Sequence, residues 1–78
     1  MRFCVYPNDH NPRHVHAMLA RTRVVIDLLE SGDVRIADRE LAVSPPNAKK
    51  SDVRKTLALA AANFDELVEL WESIHGKA

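Results

Sequence analysis

The chain has 78 residues, enough for one small domain, and its 11 basic residues balance its 11 acidic ones. This neutrality argues against a general nucleic-acid-binding surface, which needs a basic excess, and leaves a specific nucleic-acid partner undecided. A single cysteine, Cys4, excludes an internal disulfide, and the apolar runs are too short to cross a membrane, so we expect a cytoplasmic protein.

The first half of the chain predicts a small sheet. Aromatic and β-branched residues begin after Arg2 and stop at Pro7, and runs of the same kind follow along the chain. The predicted strands are residues 2–6, 14–19, 23–29 and 34–36. Residues 38–47, which include two consecutive prolines, predict an irregular connection.

The second half predicts helix, because apolar residues recur alternately four and three positions apart along one stripe. The stripe consists of Val53, Leu57, Ala60, Phe64, Leu67, Trp71 and Ile74. Asn63, followed by acidic residues, resembles a helix N-cap, so the segment is either one helix or two helices bent at Asn63. Gly76 is the expected end of the helical segment.

These elements predict a single α+β domain over residues 1–78. Residues 1–37 supply a three- to four-stranded antiparallel sheet, and the helical segment, residues 48–75, covers one of its faces. Side chains alternate along a strand, so the opposite face is predicted as well. It carries Cys4, Tyr6, His14, His16, Met18, Val25, Asp27 and Leu29. A face that is half apolar and half ionisable indicates an interface or a site.

The segment from Tyr6 to His16 contains three of the four histidines and two of the four prolines of the chain. Its prolines, asparagines and Asp9 predict a stiff turn. The turn leads into His14 and His16, whose imidazoles share one face of the second predicted strand. The candidate binding residues are Tyr6, Asp9, His10, Pro12, Arg13, His14, His16 and Asp27.

Two kinds of chemistry suit this segment. Neutral imidazoles two positions apart can share a metal ion, which a carboxylate from Asp9 or Asp27 completes or orients. Spacing alone places no third ligand, so we expect a pair of histidines without a metal and a protein without a cofactor. The same imidazoles can act as general acid and base, with Tyr6 or Arg13 stabilising a phosphate, as in a metal-independent ribonuclease.

Two stretches of the chain, separated by a β-rich middle, carry a resemblance to a known family. They are Asn8-Asp9-His10-Asn11-Pro12-Arg13-His14-Val15-His16-Ala17 and Asn63-Phe64-Asp65-Glu66-Leu67 with Leu70-Trp71-Glu72. In both, the chain is similar to the uncharacterised bacterial family catalogued as domain of unknown function 4160. Members of that family have Asp-His-x-Pro-x-His-x-His near the N-terminus and a helical Asp/Glu-Glu-Leu…Trp end. The resemblance covers nearly the whole chain.

The resemblance implies no established activity. Genes of that family often lie beside those of another small family of unknown function, numbered 2442, in pairs regarded as toxin–antitoxin-like. By analogy, Asp9, His10, Pro12, His14 and His16 would be the functional or partner-facing positions. We therefore expect a protein-interaction module that works through its His-bearing sheet face, either as a homo-oligomer or with a small protein encoded nearby. The alternative is a small hydrolase or ribonuclease that uses His10, His14 and His16 as acid and base or as metal ligands.

Overall fold

Five strands and two helices make up the part of the chain that the structure, a computed structural model, describes, which is residues 1–76. The last two residues of the predicted single domain lie outside the described residues. The elements are β1 (Arg2–Cys4), β2 (His14–Leu19), β3 (Thr22–Leu28), β4 (Val34–Ile36), β5 (Val43–Ser44), α1 (Lys50–Ala62) and α2 (Phe64–His75). The antiparallel strands followed by helices confirm the predicted α+β class.

The sheet is built around the hairpin of β2 and β3. β1 pairs with the outer side of β2, while β4 and β5 both pair with β3. The turn between β2 and β3 contains neither glycine nor proline, and Ala20 supplies the left-handed conformation that a tight hairpin turn needs, with a φ of 53°. Because β2 has a hydrogen-bonded neighbour on each side, the side chains that it carries are held in a fixed register.

The helix-facing side of the sheet forms the main core. Alternate residues of β2 and β3, which are mostly β-branched, meet the apolar stripe of the two helices. The buried members of this core are Val5, Val15, Ala17, Val24, Ile26, Leu28, Ala60, Leu67 and Trp71. This arrangement confirms the predicted assignment of the sheet faces. Ile74, predicted on the stripe, is 38% exposed, because the stripe leaves the core in the last turn of α2.

Asn63 separates the two helices and occupies the N-cap position of α2, but its side chain makes no capping hydrogen bond to that helix. The side-chain Nδ2 of Asn63 donates to the carbonyl oxygen of Leu59 at 2.8 Å, and its backbone N–H donates to the same oxygen at 3.0 Å. The predicted N-cap position at Asn63 and the two-helix alternative are therefore confirmed, but the Asn63 side chain satisfies a carbonyl at the end of α1 and makes no side-chain cap to α2.

The opposite face of the sheet is covered in part by residues 37–42, here named the cover segment. The Ala37 N–H donates to the Val25 carbonyl oxygen at 2.9 Å, and the Val25 N–H donates to the Ala42 carbonyl oxygen at 2.7 Å. The three side chains form a second, smaller apolar cluster. β5 follows directly after the cover segment, within residues 38–47, which were predicted to be an irregular connection. The sequence did not predict this strand, because two residues are too few to show the alternation of side chains that identifies a strand.

The helices have no membrane-spanning character. Within residues 1–76, neither of them combines the length and the apolar composition needed to cross a bilayer.

Candidate functional site

Three polar side chains converge on the face of the sheet away from the helices. His14 and His16 stand two positions apart on β2, and their ring centroids are 5.3 Å apart. Asp9, from the preceding turn, lies against both: its Oδ1 is 3.4 Å from His14 Nε2 and its Oδ2 is 3.2 Å from His16 Nε2. These three residues are named the Asp–His cluster. One carboxylate therefore faces two imidazole nitrogens at once.

The backbone of Tyr6 positions the Asp9 carboxylate. The Tyr6 N–H donates to Asp9 Oδ2 at 2.9 Å, and the Asp9 N–H donates to the Tyr6 carbonyl oxygen at 3.0 Å. Such local bonds are characteristic of the short Asp side chain in turns. The same carbonyl also accepts a hydrogen bond from His75 Nε2 at 3.0 Å. The end of α2 thus ties down the turn that carries Asp9.

His14 is fixed more firmly than the other members of the cluster, with only 1% of the residue exposed. Its Nδ1 lies 2.9 Å from the Pro12 carbonyl oxygen. A carbonyl oxygen can only accept, so Nδ1 carries the proton and, in the neutral ring, Nε2 carries the lone pair. The Trp71 ring lies on another side of the imidazole, at a centroid distance of 5.3 Å. In the neutral ring the Nε2 lone pair is therefore directed into the space bordered by Asp9 Oδ1 and by Arg39 Nη2, each 3.4 Å from that nitrogen.

Arg39 is a member of the site that the sequence did not reveal. It lies in the cover segment, and its Nη2 is 3.4 Å from His14 Nε2. An arginine between two acidic residues in a loop has the pattern of a solvated surface, so no spacing rule predicts this contact. The contact depends on the two backbone hydrogen bonds that hold the cover segment to Val25.

The charge state of the cluster follows from its surroundings. Burial by itself raises the pKa of the Asp9 carboxyl, but hydrogen bonds from the Tyr6 N–H and from His16, and the charges of the two histidines, hold that pKa below its usual value. Burial is the main cause that lowers the pKa of His16, and the charges of His14 and Arg39 add to it against the opposing effect of Asp9. At neutral pH the cluster therefore combines an ionised carboxylate with a neutral His16.

Two more of the predicted site residues border the cluster. The Tyr6 ring lies 4.9 Å from the His16 ring between centroids and is 41% exposed, so it stands at the rim. Pro12 contributes its carbonyl oxygen, which orients His14. The structure thus brings together five of the predicted residues: Tyr6, Asp9, Pro12, His14 and His16.

Two other predicted site residues, His10 and Arg13, lie apart from the Asp–His cluster. His10 is exposed and is not a member of the cluster. Arg13 is committed to β3 and the loop after it, because its Nε and Nη2 donate to the carbonyl oxygens of Leu28 and Leu29 at 2.8 and 3.1 Å. Its guanidinium carbon also lies 5.6 Å from the centroid of the Phe64 ring. Arg13 acts as a clamp between elements.

Asp27 is also outside the cluster, although it faces His14 across the β2–β3 pair. It is 5% exposed, and its Oδ2 lies 3.5 Å from Arg35 Nε. The neighbouring strand therefore supplies its charge partner, and Asp9 from the turn takes the place beside the imidazoles. The alternation of side chains along β3 predicts the face on which Asp27 lies, but it does not predict whether Asp27 contacts the imidazoles or Arg35.

The fold and the cluster together define a small α+β domain with an Asp–His–His site on one face of its sheet. The chain belongs to the family described as Domain of unknown function (DUF4160), whose family model matches residues 1–72. The resemblance seen in the two sequence stretches is thereby confirmed, and the matched region includes the whole Asp–His cluster. No curated protein and no solved structure matches the chain.

Proposed function

We propose that the protein is a small hydrolase-type domain whose Asp–His cluster binds a divalent transition-metal ion. The observation that carries this proposal is that a carboxylate oxygen and two imidazole nitrogens, from Asp9, His14 and His16, all lie within 4.8 Å of one another. Two histidines and one carboxylate are a common ligand set for zinc and for non-haem iron.

The distances suit such an ion. Zinc bonds of about 2.1 Å in tetrahedral geometry separate neighbouring ligand atoms by about 3.4 Å. A single oxygen, Asp9 Oδ1, lies 3.4 Å from His14 Nε2 and 3.4 Å from His16 Nε2. Two of the three ligand pairs therefore have the required spacing already, and only modest closure would be needed between the two imidazoles.

The orientation of His14 supports the same proposal. A metal-bound histidine almost always donates its other ring N–H to a carboxylate, a carbonyl or water, which fixes the tautomer. His14 does this with the Pro12 carbonyl oxygen at 2.9 Å. His16 favours its neutral form and would bind an ion through Nε2 with its remaining proton on Nδ1.

Three protein ligands leave a coordination position for water, which is typical of catalytic metal sites. Solvent reaches the cluster on the side of Asp9 and His16, whose side chains are 13% and 12% exposed. A metal there would lower the pKa of bound water and polarise a substrate oxygen, which is hydrolytic chemistry. The sequence predicted a pair of histidines without a metal, because sequence spacing alone did not place a third ligand. The proposal differs because Asp9 lies beside both histidines in the structure.

The test is zinc binding by protein purified without an affinity tag. We expect one equivalent by elemental analysis and calorimetry, and at least tenfold weaker binding in His14→Ala. His10→Ala is the matched control, because it removes an exposed histidine from the same motif and should bind zinc like wild type. Circular dichroism checks that both variants fold. No stoichiometric zinc, iron or manganese in wild type, or equal losses in the two variants, would reject the metal centre.

A protein-interaction role is the second candidate, and a groove of about 610 Å³ favours it. The groove lies beside residues 6–13, here named the motif turn, and its lining includes neither His14 nor His16. Its lining includes one cation, two carboxylates and several apolar side chains: Arg13, Glu30, Glu72, Pro12, Leu28, Leu29 and Trp71. This composition fits a partner segment with an apolar anchor and a basic side chain.

Co-expression with the neighbouring small gene, followed by size-exclusion chromatography with light scattering, tests the second candidate. We expect a complex that Glu72→Lys weakens, since the substitution reverses a charge in the groove. A second copy of this chain in the groove would instead give a dimer of the purified protein. A monomer that captures no neighbour would remove this candidate and leave the metal centre untouched.

A further inference from the structure

We propose that Arg39 makes the metal centre a site for phosphate esters, with the guanidinium binding the phosphoryl oxygens beside the ion. The inference rests on the proposed metal centre and names the substrate class for it. It assigns to Arg39 the phosphate-binding role that the sequence had suggested for Tyr6 or Arg13.

The Arg39 guanidinium lies beside a nitrogen of the proposed metal centre. Its Nη2 lies 3.4 Å from His14 Nε2, the nitrogen that would bind the ion. An ion on that nitrogen uses its lone pair, so the Arg39 N–H would have to turn away. The guanidinium would then stand next to the open coordination position with its donors free to bind a ligand of the metal.

Within residues 1–76, no carboxylate forms a salt bridge with the Arg39 guanidinium. Asp38 and Glu40 flank Arg39 in sequence, yet neither pairs with it. The residue is exposed, which allows its side chain to move without disturbing the core. In contrast, Arg13 has two guanidinium nitrogens committed to carbonyl oxygens.

The backbone that carries Arg39 is attached to β3 at both ends of the cover segment. The cover segment is anchored at both ends to Val25, and its end residues Ala37 and Ala42 are buried at 7% and 6% exposure. Between them Leu41 adopts a φ of 60°, a left-handed conformation that is uncommon for leucine. Such local strain is often found near functional sites, and here it occurs in the short loop that places Arg39 beside the Asp–His cluster.

The occupied site would carry positive charge. A divalent ion, Arg39 and the single carboxylate of Asp9 give the occupied site a net charge of about +2 when both imidazoles are neutral. Phosphate esters carry one or two negative charges and present several oxygens. The planar guanidinium can bind two of these oxygens at once while the metal binds a third. The combination selects for a phosphate group over a neutral ester or amide.

The experiment uses the zinc-loaded full chain and phenylphosphonate, a phosphate-ester mimic that water does not cleave. We expect calorimetry to detect binding by wild type and at least tenfold weaker binding by Arg39→Ala. The variant should retain its zinc, with equal or higher affinity, because a competing cation has been removed from His14. Arg39→Lys should recover part of the affinity, since lysine keeps the charge but not the two-pronged geometry.

Arg35→Ala is the matched control. Its side chain is 62% exposed and pairs with Asp27 on the same sheet. The control should bind phenylphosphonate like wild type. Benzoate, which has the same ring with a carboxylate, should bind at least tenfold more weakly than phenylphosphonate. Equal binding of the two probes would overturn the assignment to phosphate esters.

The outcomes separate this inference from the metal centre. Zinc-loaded Arg39→Ala that binds phenylphosphonate like wild type overturns the inference and leaves the metal centre standing. Loss of zinc from Arg39→Ala overturns it too, since Arg39 would then support the metal ligands. If wild type takes up no zinc, the metal centre fails and the metal-free protein decides the matter: Arg39-dependent binding of phenylphosphonate keeps the anion site, and any other result removes it.

Discussion

The two faces of the sheet are built by different means. The helix-facing side is covered by two regular helices, and most of its buried residues follow a period of two along the strands or a stripe of three and four along the helices. The side with the Asp–His cluster is covered by irregular chain, the motif turn and the cover segment, held by individual hydrogen bonds. The first face supplies stability by apolar burial, while the second fixes a few polar atoms.

Trp71→Ala is expected to have the largest effect, because this ring belongs to both faces. It is 5% exposed in the main core and also contacts His14. Loss of a buried aromatic ring costs about 3–5 kcal/mol, which a domain of this size tolerates poorly. Urea denaturation measures the loss. Ile74→Ala, in the same helix but 38% exposed, is the control. A Trp71→Ala variant as stable as this control would contradict the packing described here.

Val24→Ala and Val25→Ala compare the two faces directly, since the residues are adjacent but point to opposite sides. Val24 lies in the main core at 0% exposure and Val25 under the cover segment at 4%. Each substitution should lower the free energy of unfolding by about 2 kcal/mol or somewhat less. Only Val25→Ala should also weaken phenylphosphonate binding by zinc-loaded protein, because it trims the side chain on which Ala37 and Ala42 of the cover segment pack, although the two backbone hydrogen bonds remain. Equal effects on binding would show that the faces are not independent.

His75→Ala should have a smaller effect on stability, about 1 kcal/mol, because it removes one hydrogen bond to Tyr6 and a stack on Trp71. Its effect on the site should be clearer. Loosening of the turn that carries Asp9 should weaken zinc binding by about tenfold, as loss of a supporting contact around a metal often does. His10→Ala serves again as the control. Unchanged zinc affinity would mean that the turn holds Asp9 without help from α2.

The pH dependence of the metal-free protein, measured with a chelator present, should be the mildest effect. The pKa of His16 is below its usual value of 6.5 in the folded chain, so the unfolded chain binds more protons as pH falls through that value. The free energy of unfolding should therefore decrease on acidification from about pH 7.5 to 5.5. The lowered pKa of Asp9 acts in the same direction at lower pH.

A substitution isolates this contribution. His16→Gln should flatten the pH dependence of the free energy of unfolding relative to wild type, whereas His10→Gln should leave it unchanged. A steeper fall in His16→Gln would contradict the direction of the pKa shift of His16.

The comparison of the faces also explains which parts of the structure the sequence predicts. The strands β2 and β3, the division of the sheet faces and the helical stripe follow from periodicity, and the break at Asn63 follows from a local polar signal. The pairing of His14 with His16 needs only the alternation of side chains on a strand. These features depend on neighbours close in sequence.

The remainder depends on contacts between distant segments. Asp9 was a candidate, but its place between the imidazoles results from the Tyr6 backbone. Arg39 reaches His14 from 25 positions away, through a loop that has no regular period. The choice of Arg35 as the partner of Asp27 likewise requires the register of β3 and β4. Residue spacing in a single sequence does not predict these contacts between distant segments.

The hydrogen bond from His75 to the Tyr6 carbonyl links residues that are 69 positions apart. During synthesis the motif turn leaves the ribosome early, but this bond cannot form until α2 has emerged and docked. The Asp–His cluster therefore reaches its final geometry only after α2 has docked. A product that stops before α2 would carry every residue of the cluster and still lack the contacts from α2 that hold it in place.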